Sequence, residues 1–254
     1  MSITFQRYLR EMHRHFGYLA TWNPGSPMEL GDIGLIQSGV FQRKTSLKLL
    51  GFEPQIRPDE TPTDLNYESA TGVSMSIKLQ GEPALPGSSL AQASAGVTFE
   101  FSENGAVVFA ATGATSPSLS DVLAIEEFIK QLPRWDSRFV IITEVVQCKT
   151  ATVLVSGSQS AKIELNASGA LAAASFSIAD ASLNLSISSY RNVGVRILCH
   201  AGLTPLYQAV RLEGLFTKRL ERVRSFRAPA AVDNNDNARL TSLRLGDLLD
   251  TDME

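Results

Sequence analysis

The sequence predicts an α+β fold: a mixed, mainly antiparallel twisted sheet with an N-terminal helix, peripheral helices and a short C-terminal tail. Three observations point there. Residues 150–190 alternate apolar with small polar side chains at Val153 and Val155, Ile163 and Leu165, Phe176 and Ile178, and Leu183, Leu185 and Ile187. That is the two-residue period of strands. Residues 2–19 instead place Phe5, Leu9, Met12, Phe16 and Leu19 three or four apart, on one face of a helix. Between these regions Asn104-Gly105 separates two apolar runs, a strong hairpin signal.

The first helix gathers Arg7, Arg10 and Arg14 on another face, and Gly17 is a weak point near its end. It either docks on the sheet or meets anionic lipid as a basic amphipathic helix. A turn cluster at 22–27 leads to Leu30, Ile33, Leu35, Ile36 and Val40, one or two short strands in which Gly31 and Gly34 serve turn geometry. Residues 52–66, rich in Pro, Asp, Glu and Thr, read as a surface loop. Val73, Met75, Ile77 and Leu79 form an amphipathic strand, and 81–95, rich in Gly, Pro, Ser and Ala, a flexible connection. Val97, Phe99 and Phe101 then turn through Asn104-Gly105 into Ala106–Ala111 as a hairpin.

Ser118 or Ser120 caps a helix through about Leu132, and Pro133 stops it. Phe139–Val146 reads as a buried strand and Val193–Cys199 as another. Thr204-Pro205 starts a helix that runs to about Phe226. Residues 228–239 are a linker by composition, and the leucines from 240 onward sit near helical spacing in a short amphipathic tail. The expected organisation is one α+β domain over 1–227, the linker, and the tail over 240–254.

Charge narrows the function. Only 19% of residues are charged and the net charge is −3, which gives no basic surface for general nucleic-acid binding. Cys148 and Cys199 stand far apart in no paired motif, as in a reducing compartment. Arginines interrupt any signal-peptide core, and no window offers the ~18 apolar residues of a membrane-spanning helix. A soluble, cytoplasmic protein is expected. His13 and His15 point to different helix faces, and His200 and Cys199 to opposite sides of a strand, so neither pair is a chelator or a dyad. No nucleophile elbow, phosphate loop, dinucleotide fingerprint or Cys/His cluster occurs. No enzyme, catalytic residue, cofactor or metal is predicted.

The segment 150–190 has only Lys162, Glu164 and Asp180 as charges. A polar, nearly uncharged face suits a packed sheet pair, and it equally suits strands that enter a bilayer around a watery lumen. Its apolar parity is odd through Leu171, even at Phe176 and Ile178, and odd again from Leu183, which places turns or bulges near Ala173 and Asp180. The tail from Asp233 carries six acidic residues against two arginines, while Arg211–Arg227 carries six basic residues against two glutamates.

This organisation resembles the bacterial gasdermins, small pore-forming effectors of antiviral defence that are cut by a partner protease. The features are an N-terminal helix, an α+β body, two low-charge hairpin regions (94–112 and 150–190), a basic helix and a removable tail. The resemblance is architectural, without a diagnostic motif, and residues 2–20 lack the lipid-modified cysteine that bacterial members often carry. It implies hairpins that join an oligomeric β-barrel, anionic membrane lipid and an activating protease as partners, and movement from cytoplasm to inner membrane.

The candidate residues follow from that frame. Asp233 and Arg239 are cleavage points in the linker. Leu240, Leu243, Leu245, Leu248 and Leu249 form the autoinhibitory stripe. Lys218, Arg219, Arg222, Arg224 and Arg227 bind lipid, and Leu183, Leu185 and Ile187 face the membrane. The competing reading is a soluble β-rich binding or scaffold protein whose Ser/Ala face is packed and whose tail is a docking peptide.

Overall fold

A computed structural model describes residues 3–83, 87–169, 171, 176–213 and 239–245. In chain order the elements are α1 (Ile3–Phe16), β1 (Leu19–Ala20), β2 (Asp32–Gln37), β3 (Val40–Ser46), β4 (Ile56–Arg57), β5 (Thr63–Glu68), β6 (Val73–Lys78), β7 (Ala95–Phe101) and β8 (Val107–Ala114). They continue with β9 (Ser118–Leu119), α2 (Val122–Gln131), β10 (Val140–Val146), β11 (Thr150–Ser156), β12 (Ala161–Ala167), β13 (Leu185–Arg191), β14 (Val193–Ala201), β15 (Leu206–Glu213) and β16 (Arg239–Ser242). The fold is α+β and mainly antiparallel sheet, as the alternation predicts. No helix among the described residues is long and apolar enough to cross a membrane.

The chain divides into two units. The first contains residues up to Pro27, Asp59–Ser116 and Val146–Leu206. It holds two four-stranded sheets, β14-β11-β8-β5 (the inner sheet) and β13-β12-β7-β6 (the outer sheet). Val97, Phe99, Phe101, Ile163 and Leu165 of the outer sheet and Val108, Ala110 and Leu154 of the inner sheet share one buried cluster, so the two sheets pack face to face. Helix α1 covers the other face of the inner sheet, where Phe16 meets Phe109 at a ring separation of 5.4 Å. Phe5, Tyr8, Leu9 and Met12 supply its buried stripe. Gly17 at φ +78° ends it, donating its N–H to His13 O at 2.8 Å, three residues before the predicted end.

The second unit contains Met28–Pro58, Pro117–Val145 and the described residues from Tyr207 onward. Its sheet has the order β15-β10-β2-β3, with β16 on β15, β9 on β10 and β4 on β9. Helix α2 packs Ile125 and Ile129 against Ile33, Ile141, Val210 and Leu212. Its cap is Asp121, whose Oδ1 accepts from Ala124 N at 2.9 Å, rather than either predicted serine; Ser118 lies in β9.

Four expectations are corrected. Residues 206–213 are a strand, not the start of a helix. Thr204-Pro205 fits a strand start as well as a first helical turn, and Val210 and Leu212 reach the core from one strand face. Within the predicted loop 52–66, β4 forms and β5 begins. The tail pairs as a strand over Arg239–Ser242. Finally, Val97–Phe101 and Val107–Ala111 are strands but not partners, since β7 and β8 lie in different sheets.

Candidate functional site

That last correction extends to β5–β6, β11–β12 and β13–β14, whose members also lie in different sheets. The chain passes from inner to outer sheet at β5–β6 and β11–β12, and from outer to inner at β7–β8 and β13–β14. Read together, the sheet orders 14-11-8-5 and 13-12-7-6 are the same order. Four continuous segments, Thr63–Lys78, Ala95–Ala114, Thr150–Ala167 and Leu185–Ala201, thus run side by side, antiparallel, each folded once. The first two are joined through 79–94 and the last two through 168–184, so the unit is two long hairpins doubled over.

The folds line up across the sheet. Ser102 N donates to Gly72 O at 3.0 Å, Gly105 N to Ser156 O at 3.0 Å, and Gly157 N to Asn192 O at 2.7 Å. Gly72, Gly105 and Asn192 stand at positive φ, a conformation that glycine adopts freely and asparagine tolerates. Helix α1 sits on the bend of the first hairpin. Arg7 donates to Glu11 Oε1 (2.7 Å), Glu103 Oε2 (2.6 Å), Asn104 O (3.2 Å) and Thr71 O (3.4 Å). Ser69 Oγ donates to Glu11, and Thr4 Oγ1 to Asn104 Oδ1 at 2.8 Å. The Arg7 guanidinium holds the Glu103 carboxyl below its ordinary range. Arg7 therefore clamps the bend, whereas Arg10 and Arg14 are exposed.

The outer sheet has two unlike faces. Its inner face carries Val97, Phe99, Phe101, Ala161, Ile163 and Leu165, with Val73, Ile77 and Leu185 packed beside them. Its other face carries Ser74, Ser76, Lys78, Thr98, Glu100, Lys162, Glu164, Asn166 and Ser186, by the alternation of the paired registers. Residues 87–94 lie over that polar face. Glu164 Oε2 accepts from Ser89 N (2.7 Å), Ser89 Oγ (2.5 Å) and Ser189 Oγ (2.9 Å), and Lys162 Nζ stands 3.1 Å from Oε1. Burial alone pushes the Glu164 carboxyl up, but the donors from Ser89, Ser189 and Lys162 outweigh it and hold the group down at about 2. The predicted flexible connection is thus pinned over residues 89–94.

A groove of about 320 Å³ opens where the bends meet the polar face, lined among others by Ser74, Glu100, Ser102, Gln159, Lys162 and Arg191. No group of three or more His, Cys, Asp or Glu among the described residues could hold a metal ion. Burial pushes the Cys148 thiol up to about 12 and raises Cys199 as well, so both thiols stay protonated near neutral pH.

The structure scatters the sequence-predicted residues. Leu185 opens β13 on the apolar face and Ile187 is 40% exposed further along it. Leu183 leaves this row: it ends a 3-10 turn, buried, and Asn184 follows at φ +45°. Asp180 caps that turn through Ser182 N at 2.9 Å, which explains the parity change there. Leu240 packs on the second unit's core, with its N–H on Glu126 Oε2 at 2.9 Å, and Leu243 N donates to Ala209 O at 2.8 Å. Leu245 is half-buried. Arg239 faces Glu213 in the β15–β16 ladder, an unfavourable place for a protease that needs unpaired chain. Asp233, Lys218, Arg219, Arg222, Arg224, Arg227, Leu248, Leu249 and Ala173 lie outside the described residues.

Sequence reasoning missed Arg7 as a clamp, Glu164 as an anchor and Lys78 as a buried cation. The only signal was a lone charge in the strand for Lys78 and, for Glu164, a strand whose one other charge is Lys162. The chain matches no known family and no curated protein.

Proposed function

We propose that this chain is a latent pore-forming protein of the bacterial gasdermin type, closed by its C-terminal segment until a protease cuts before it. The observation that carries the reading is the identical strand order in the two packed sheets. Unbending the four segments turns a sandwich into one long four-stranded antiparallel sheet without changing a single strand partner. No new pairing has to be searched for. The outer-sheet halves would then place Val97, Phe99, Ile163, Leu165, Leu185 and Ile187 toward lipid and the Ser, Thr, Asn and charged row toward a watery lumen.

The two outermost segments, Thr63–Lys78 and Leu185–Ala201, run antiparallel, so copies joined edge to edge continue the same ladder into a closed barrel. The C-terminal segment completes an edge beside β15 and inserts Leu240 into a core, contacts that a cut in 228–238 would leave untethered. Lys218, Arg219, Arg222, Arg224 and Arg227 would hold anionic lipid, at roughly 1 kcal/mol each near the surface.

The test uses the full-length chain with a site-specific protease sequence inserted between 228 and 237. Cutting it beside dye-loaded anionic vesicles should release the dye, while the uncut chain releases none. Complete cutting with tail dissociation but no release rejects the reading. The groove at Glu100, Lys162 and Arg191 favours the alternative, a soluble binding or scaffold protein that takes a small polar ligand; that protein leaves vesicles intact.

A further inference from the structure

We propose that residues 87–94 are a strap, anchored by Glu164 and Lys78, that must lift from the outer sheet before the first hairpin can cross a bilayer. This rests on the pore-forming reading above. The strap has no regular secondary structure and yet takes two buried charges. Glu164 binds Ser89 at both its N–H and its hydroxyl, and Ser89 Oγ also meets Ser188 Oγ at 2.9 Å. Lys78, 2% exposed, gives its ammonium to Ala91 O (3.0 Å), Gln92 O (3.2 Å) and Ser94 O (2.6 Å). Leu90 is buried against Gly96, where a Cβ would lie 2.7 Å from Leu90 Cδ1.

The cover fits poorly in one respect. Thr98 Oγ1 and Asn166 Oδ1, on the face beneath, are buried with no hydrogen-bond partner among the described residues. Such atoms lose their hydration without compensation. A face that buries two charges and two unpaired oxygens under an irregular segment is better suited to water than to its cover. Buried charges held this way specify one closed arrangement more than they stabilise it.

Strand length gives the strap its role. The outer-sheet strands have 6 or 7 residues, whereas a tilted strand needs ~9–11 to cross a bilayer. The missing residues lie in the connection that contains the strap. Pro83 and Pro86 confine the tip to the residues around them, because proline interrupts a ladder. Extending β6 through Glu82 gives about ten residues, and extending β7 back through the strap gives more than enough. Only Glu82 is charged between 79 and 94. The strap is thus the first hairpin's reserve of membrane-crossing strand, folded back over the face that would line the lumen.

The experiment pins the strap. The serine hydroxyls in contact allow a disulfide from Ser89→Cys with Ser188→Cys, made in the full-length chain that carries the cuttable linker. Oxidised and then cut, it should bind anionic vesicles without releasing dye, and reductant should restore release. Release from the oxidised chain as fast as from the reduced one overturns the strap while leaving the pore reading in place. If the cut parent without the cysteines releases nothing, the pore reading fails and the strap role falls with it. A second measurement needs no membrane: in the uncut chain, Glu164→Gln should speed amide exchange across 87–94 by about tenfold or more, with the inner sheet unchanged. Equal exchange in the variant and the parent would show that Glu164 does not anchor the strap.

Discussion

The inner and outer halves of the same four segments differ in one respect. Each inner-sheet strand at the centre, β8 or β11, is buried on both faces, by the outer sheet on one side and α1 on the other. Thus Phe109 and Val153 pair across strands against α1, while Val108 and Leu154 face the sandwich. Each outer-sheet strand has one apolar face and one polar face, and residues 87–94 cover only part of the polar one, leaving Ser74, Ser76, Glu100 and Ser186 exposed. The inner half is a core layer. The outer half is an amphipathic layer that is buried only while it stays folded. The bend that divides them is also where Arg7 acts, so the border between the two kinds of strand is guarded by hydrogen bonds as well as by packing.

The largest expected effect tests how tightly each half is packed. Phe99→Ala in the outer sheet and Phe109→Ala in the inner sheet should each lower stability by about 3–5 kcal/mol in denaturant unfolding, as for aromatic deletions in a core. If Phe99→Ala leaves the inner sheet's amide protection intact while the outer sheet's collapses, the layers unfold separately, and the comparison sharpens. A Phe99→Ala loss below 1 kcal/mol would mean the outer layer is not packed as described.

Next comes acid. The Glu164 carboxyl is held at about 2 in the folded chain, against an ordinary value of 4.5. A depressed carboxylate contributes stability that is fully present above the unfolded value and is lost as pH falls through the folded one. The loss therefore falls between about pH 4.5 and pH 2 and amounts to at most about 3 kcal/mol. Glu164→Gln should flatten the stability profile in that window. A profile that falls equally steeply in both proteins would assign the acid sensitivity to other carboxylates.

Smaller is the effect of loosening the bend. Arg7→Ala removes a part-buried charged donor from Glu11 and Glu103 and should cost about 1–2 kcal/mol. Its signature is local: amides at 102–106 should exchange faster than those of β7 and β8 on either side. Uniform acceleration along the whole segment would reduce Arg7 to an ordinary anchor of α1.

The smallest effect belongs to the polar face where the strap leaves it open. Ser186 is exposed and pairs with Asn166. Ser186→Lys should change stability by less than about 0.5 kcal/mol, the usual limit for an exposed site. In the cut chain it should leave dye release intact and shift the pore toward anions. A drop of several degrees in Tm would show that Ser186 is packed against something and would favour the scaffold reading. Asn184→Lys is no substitute, because that residue caps a turn in the left-handed region.

The sequence by itself determined most elements, because alternation and helical spacing report which face of an element is apolar. It located α1, β6, β7, β10 and β14 closely, and α2 apart from its cap. The row Val97, Phe99, Phe101 and the row Ile163, Leu165 carried the outer sheet's apolar face in plain sight. It left open whether the tail docks. The start of the tail, Arg239–Ser242, is a strand because β15 offers it an open edge, and backbone pairing outweighs weak helical propensity in a short segment. For the same reason Leu206–Glu213 joined a sheet. The tertiary structure alone decided that Asn104-Gly105 turns between sheets. A turn signal says the chain reverses, but only the partners waiting on each side, β12 for β7 and β11 for β8, decide whether its arms meet each other. Lys78 and Glu164 follow the same rule: a charge in a strand looks solvated from the sequence, and only the segment that folds back over it shows that it is buried.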